Sequence, residues 1–255
     1  MSKYKPIALV TGASRGFGRA IALELGGAGF RVALVARSRS GLEETARQAE
    51  QRGVETLRLP ADLSVAAETS SLAEALRAWG GELEVLVNNA GVIAPLGSFL
   101  EVRFEDWAAS LRTNVEGTAR LTHAVLPLLS QARRASIITI SSGAAVSDIP
   151  GWSAYCTAKA ALDRWALVLD AELKETGIRS YSFAPGTIET EMQKSIRSSG
   201  VGPARLVSGE VEHLPAEVPA KAVVFLTSPE AEPFAGRHID IRYPEVRKVL
   251  GLPEL

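Results

Sequence analysis

Short apolar runs followed by longer segments of helical period recur along this chain, and that alternation restricts its fold more than any single motif. IALVTG (7–12) leads to RAIALELGGAG, RVALVAR (31–37) to SGLEETARQAEQRG, and VETLRLPAD (54–62) to ETSSLAEALRAWGG. LEVLVNNAG (83–91), ASIITISS (135–142) and IRSYSFAPG (178–186) continue the series, with helical candidates between them. Strands alternating with helices build βαβ units, so the expected fold is α/β with one parallel sheet. Right-handed crossovers then bring the carboxyl ends of the strands to one edge, where ligands bind.

No linker, low-complexity tract or charge block interrupts the 255 residues, so 1–255 reads as a single domain. The segment 194–219, KSIRSSGVGPARLVSGEVEHLPAEVP, differs in texture, because Gly, Ser and Pro break any period there. It reads as a loop, either a plain surface excursion or a mobile lid over a substrate site.

A net charge of -1 provides no basic footprint for nucleic acid and no support for membrane-surface binding. No apolar stretch reaches membrane-spanning length. Cys156 is the one cysteine, and His123, His213 and His238 lack ligand spacing, so neither a disulfide nor a metal is expected. The first residues run from a few polar side chains straight into a strand, without the pattern of a signal peptide, and a reducing, cytoplasmic setting is expected.

TGASRGFG (11–18) stands at the first strand-to-helix turn. Gly12, Gly16 and Gly18 allow a tight turn and close approach to a pyrophosphate, whose charge a helix N-terminus favours. Ser14, Arg15 and Phe17 lie in the same turn. The spacing is G-x-x-x-G-x-G, and any tight βα connection can use glycine; it is the position as first turn that points to a dinucleotide. An acidic residue after the second strand would bind ribose hydroxyls, whereas an arginine accommodates a 2′-phosphate. Arg37 and Ser38 stand there with Arg15 nearby, which favours NADP(H) over an arginine merely exposed after a strand.

Tyr155 and Lys159, in GWSAYCTAKAALDRW (151–165), fall four apart on one helical face. Alone, such a pair reads equally well as a packed tyrosine beside a solvated lysine. The ordered set changes that. TGASRGFG, Asp62, NNAG (88–91), Asn114, Ser142, Y-C-T-A-K (155–159) and PGTIET (185–190) occur in the order of the short-chain dehydrogenase/reductase superfamily, which this chain resembles. A narrower likeness, on GW-x-x-YC-x-x-KAA, TEMQ (190–193) and GRHID (236–240), is to the sepiapterin reductase and benzil reductase branch.

The resemblance implies a Rossmann-type doubly wound sheet of seven mostly parallel strands with helices on both faces. It implies Tyr155 as general acid, with Lys159 favouring the phenolate of a group whose ordinary pKa is about 10. Ser142, rather than the neighbouring Ser141, would orient the carbonyl, and Asn114 would hold a water for proton return. Asp62 and Leu63 would contact adenine, and Asn89, Ala90 and Gly91 the adenosine ribose. Tyr155 and Lys159 would hold the nicotinamide ribose, and Pro185, Gly186, Ile188 and Thr190 the carboxamide. Gly143, Ala144, Trp152, Met192 and Gln193 are candidate substrate contacts, with Trp152 as a flat wall or as a packing or dimer residue. Asp240 matches the acidic residue that holds the pterin in sepiapterin-type relatives, although Ile241 and Arg242 follow it where many relatives have two glycines.

The implied function is an NADPH-dependent carbonyl reductase acting on a small ketone, aromatic or a vicinal diketone. An alcohol or hydroxysteroid dehydrogenase and a non-catalytic nucleotide-binding protein are the alternatives. A homodimer or homotetramer is implied through helices at 104–130 and 153–175, with Trp107, Leu111, Trp165 and Leu169 as candidate interface side chains.

Overall fold

The protein was analysed as a computed structural model, which describes residues 6–211 and 213–252. Seven strands, β1 (Ile7–Thr11), β2 (Arg31–Ala36), β3 (Thr56–Pro60), β4 (Leu83–Asn88), β5 (Ala135–Ile140), β6 (Ile178–Ala184) and β7 (His238–Asp240), form one sheet. The order is β3-β2-β1-β4-β5-β6-β7 and every pairing is parallel. The strand order reverses between β1 and β4, and a crevice opens at that switch point.

Period-2 alternation of buried side chains builds two cores. Ala8 and Val10 face one side with α1 (Gly16–Gly27), α2 (Arg39–Glu50) and α9 (Glu217–Phe225). Ile7 and Leu9 face the other with α3 (Ala66–Trp79), α5 (Gly117–Leu129) and α6 (Ser153–Leu173). Leu169, a candidate interface residue, belongs to this second core and has no free surface to offer a partner. Trp165 packs against the same core. No helix among the described residues is long and apolar enough to cross a membrane.

Most expected strands end one to three residues early. Gly12, Asn89 to Gly91, Ser141 with Ser142, and Pro185 with Gly186 leave the ladder at the carboxyl edge and become site loops.

The segment 194–219 departs from expectation more sharply. It carries the end of α7 (Glu191–Ser199), all of α8 (Ala204–Ser208) and the start of α9. Gly200 and Gly209, read from the sequence as breaks, are left-handed C-caps at φ 67 and 79, a role glycine fills without steric cost. Beneath α7 and α8, Trp152, Tyr155, Ala144 and Ile196 form a third apolar cluster, so this region is a packed cap.

Candidate active site

A cleft of about 1060 Å³ runs along the carboxyl edge, from Arg37 and Asp62 past the glycine turn to Ser142, Tyr155 and Lys159. The glycine turn is a cradle that side chains would fill. A Cβ on Gly18 would stand 2.2 Å from the Gly12 carbonyl oxygen and 2.6 Å from Asn89 Nδ2. Gly12 also needs its positive φ of 67. Gly18→Ala is therefore expected to displace the turn and abolish detectable NADPH binding, measured by quenching of tryptophan fluorescence. Binding at wild-type affinity would remove the turn from the cofactor site.

Residues outside the expected set hold this turn. Thr11 Oγ1 accepts from the backbone N–H groups of Asn89 (2.9 Å) and Ala90 (3.0 Å), and donates to Val87 O. Asn89 Nδ2 in return donates to Thr11 O at 2.8 Å, which locks the NNAG turn to the glycine turn. On the other side, Arg19 donates to Ser14 O and to Thr45 Oγ1, and Thr45 donates to Ala13 O. Thr11 stands inside the quoted motif, but the partners of Arg19 and Thr45 emerge only when α2 packs beside α1.

At the adenosine end, the Ser38 hydroxyl is engaged as N-cap of α2, accepting from Gly41 N at 3.1 Å. Asp62 Oδ1 accepts from both the backbone and the hydroxyl of Ser64, and Oδ2 lies 3.8 Å from Arg37 Nη1. Burial pushes the Asp62 carboxyl up, but the Ser64 bonds and the Arg37 charge outweigh it and hold it below the ordinary carboxylate value. Arg37 and Arg15 are exposed and both line the cleft. Gly16 meets Thr190 across it, a Cβ there falling 3.4 Å from Thr190 Cγ2. Ser14, Phe17, Leu63, Ala90, Gly91, Pro185, Gly186 and Ile188 also line the walls.

The chemical end is buried. Lys159 Nζ donates to Ile140 O at 2.6 Å and lies 5.6 Å from the centroid of the Tyr155 ring. Burial pushes the Tyr155 phenol up to about 12, against a hydrogen bond with Ser142 that pulls it down. Burial alone lowers Lys159 to about 8. The lysine was expected to depress the phenol, yet desolvation governs both groups and pushes the phenol up. Ser142, in extended backbone at the end of β5, also accepts from Ala144 N. Ser141 lines the cleft too, but is almost wholly buried.

Asn114 sits in a π-turn at 112–116 between α4 (Phe104–Leu111) and α5. Its carboxamide is committed to Val92, accepting from the backbone N and donating to O, each at 2.8 Å. Its side chain therefore ties the π-turn to the loop after β4, and its backbone O accepts from Thr118 Oγ1 at 2.7 Å.

Four of the six expected substrate contacts lie off the cleft walls. Trp152 is 4% exposed, donates from Nε1 to Val201 O at 3.0 Å, and packs edge-on against Tyr155 at 6.0 Å. It is the packing residue of the two alternatives, supporting the phenol from behind. Ala144 is buried in the same cluster, and Gly143 faces Arg242. Asp240 is 2% exposed, and both of its carboxylate oxygens accept from Arg242. Met192 and Gln193 do line the cleft, and Gln193 Oε1 is buried with no protein partner among the described residues.

Known proteins are similar to this chain. The model of the short chain dehydrogenase family matches residues 6–200. The 2,3-dihydro-2,3-dihydroxybenzoate dehydrogenase of Bacillus subtilis (strain 168) is 30% identical over 235 residues, covering 88% of this chain and 90% of its own. The 3-oxoacyl-(acyl-carrier-protein) reductase of Escherichia coli (strain K12) is 34% identical over 241 residues, covering 92% and 95%. A metagenomic short-chain oxidoreductase in complex with NADP superposes with a TM-score of 0.78 at 29% identity, over 93% of this chain and 98% of that one. With the seven-stranded sheet, the glycine turn and the Ser142, Tyr155 and Lys159 cluster already in place, the chain belongs to the short chain dehydrogenase family.

Proposed function

We propose that the protein is an NADPH-dependent carbonyl reductase that transfers hydride to a small ketone, with Tyr155 as general acid. The observation that carries this reading is the meeting of Ser142, Tyr155 and Lys159 at one end of a dinucleotide-sized cleft. The cofactor, when bound, supplies the hydride. The donor set fits such a group: a glycine cradle for phosphates, paired arginines at one end and a buried phenol at the other.

In this reading Ser142 orients the carbonyl oxygen and Tyr155 donates its proton as alkoxide charge develops there. A phenol near pKa 12 remains protonated until that charge appears, and is still acidic enough to surrender its proton to an alkoxide. Lys159, held on Ile140 O, faces the phenol and compensates the phenolate that forms. Asn114 keeps the loop after β4 in place beside the lysine.

NADPH rather than NADH is supported by Arg37 and Arg15, two exposed guanidinium groups that line this end of the cleft and can fork onto a 2′-phosphate. The name of the NADP-bound neighbour agrees. Arg37→Asp is expected to weaken NADPH at least about tenfold relative to NADH, the worth of one charged hydrogen bond. An unchanged NADPH-to-NADH ratio in titrations would contradict the assignment. The sepiapterin- and benzil-reductase likeness supports an aromatic ketone or vicinal diketone as substrate. The dehydrogenase among the relatives favours, as second reading, oxidation of an alcohol at the same site. Assay with a ketone and NADPH against its alcohol and NADP separates the two.

A further inference from the structure

Arg242, which stands beside the cleft rather than in its wall, has no part in the mechanism above. Arg15 and Arg37 follow β1 and β2, on the adenosine side of the switch point. Arg242 follows β7 at the opposite end of the sheet, beside the loops after β5 and β6. Its Nη2 lies 3.6 Å from the place a Cβ on Gly143 would take, and Gly143 is the neighbour of Ser142. Ile241, the residue before it, donates its backbone N–H to Ala184 O and lies against Gly186, so this strand end is packed into the site loops.

The guanidinium is aimed as well as placed. Asp240 Oδ1 accepts from Arg242 N (2.9 Å) and Nε (2.8 Å), and Oδ2 accepts from Nη2 (2.5 Å). One edge of the guanidinium, Nε and Nη2, is thereby fixed by a carboxylate that is itself buried. Nη1 makes no hydrogen bond among the described residues, and 54% of the side chain is exposed. The pair supplies a rigid set of donors presented outward, the arrangement that recognises a carboxylate or phosphate in bidentate fashion. Asp163 and His238 pair with one another through Nδ1 at 2.6 Å.

We infer that Arg242, oriented by Asp240, reads an anionic group on the substrate, so that the ketone reduced at Tyr155 carries a carboxylate or a comparable anion close to its carbonyl. This rests on the reductase reading for its site. Asp240 thus stays part of substrate selection, but through the arginine it orients.

The test pairs benzoylformate with its neutral methyl ester, which share one ketone. For the wild type, kcat/KM for benzoylformate is expected to exceed that for the ester by at least about tenfold, mainly through KM. Arg242→Gln should remove that preference, and Arg242→Lys, which keeps the charge without the fork, should retain part of it. Because Arg242→Gln strands a buried carboxylate, the double variant Asp240→Asn with Arg242→Gln is measured alongside, and ester turnover reports whether each protein is folded. An equal preference in wild type and both glutamine variants would overturn the inference. Calorimetric binding of benzoate and benzamide to the NADP-loaded protein keeps the two readings apart. If neither ketone is reduced, the reductase reading fails. Benzoate binding weakened about tenfold by Arg242→Gln would still sustain the anion site, and unaltered binding would end it.

Discussion

Replacing Tyr155 with phenylalanine should lower kcat for ketone reduction by roughly a hundred- to ten-thousandfold, the usual worth of a positioned general acid. The expectation follows from burial. The phenol is enclosed at the chemical end of the cleft, so its removal takes away the proton donor that the developing alkoxide needs. Phenylalanine keeps the edge-on packing against Trp152, so the fold should lose only about 1 kcal/mol, for the hydrogen bond with Ser142. Rapid-quench kinetics read the effect, and melting of the same sample checks the fold. A phenylalanine variant that reduces ketones at the wild-type rate would mean that another group donates the proton.

Lys159→Met should abolish most turnover while raising stability at neutral pH, a divergence that marks a residue kept for chemistry. The folded lysine releases its proton near pH 8, whereas the unfolded one does so near its ordinary value of 10.5. Between those values the unfolded chain binds more protons, so wild-type stability rises with pH, and below pH 8 burying the charge costs about 3 kcal/mol. Methionine pays no such cost. Its advantage in denaturant melts should be largest at pH 7 and shrink towards pH 10. In the wild type, reductive kcat/KM should fall as pH rises through about 8, because the neutral amine no longer compensates the phenolate. A variant less stable than wild type at pH 7, with a flat wild-type rate profile, would show that the lysine is fully solvated in solution.

The fold was legible because its information is local and repeated. Each apolar run and each helical period is set by neighbours along the chain, and the right-handed crossover rule turns their alternation into one sheet. The glycine turn and the Tyr155 and Lys159 pair were legible for the same reason, since spacing alone places them on one turn and one helical face. What escaped depends on packing between distant segments. Thr45 became a support of the glycine turn only when α2 met α1, and Trp152 turned inward because α7 and α8 cover it. The cap at 194–219 looked like a loop because its glycines and prolines sit between helices of nine and five residues, too short for a period to register. Asp240 was expected, by likeness, to hold a substrate, and the spacing did not reveal that its carboxylate accepts from Arg242 two residues later.

The most direct measurement uses NADPH deuterated at the nicotinamide C4 with 1-phenyl-1,2-propanedione, followed by mass and NMR analysis of the product. Deuterium at the carbinol carbon, lost together with turnover in Tyr155→Phe, is the expected result. NADPH bound in the cleft with no label transferred to this diketone, to benzil, to sepiapterin or to benzoylformate would contradict the assignment as a carbonyl reductase.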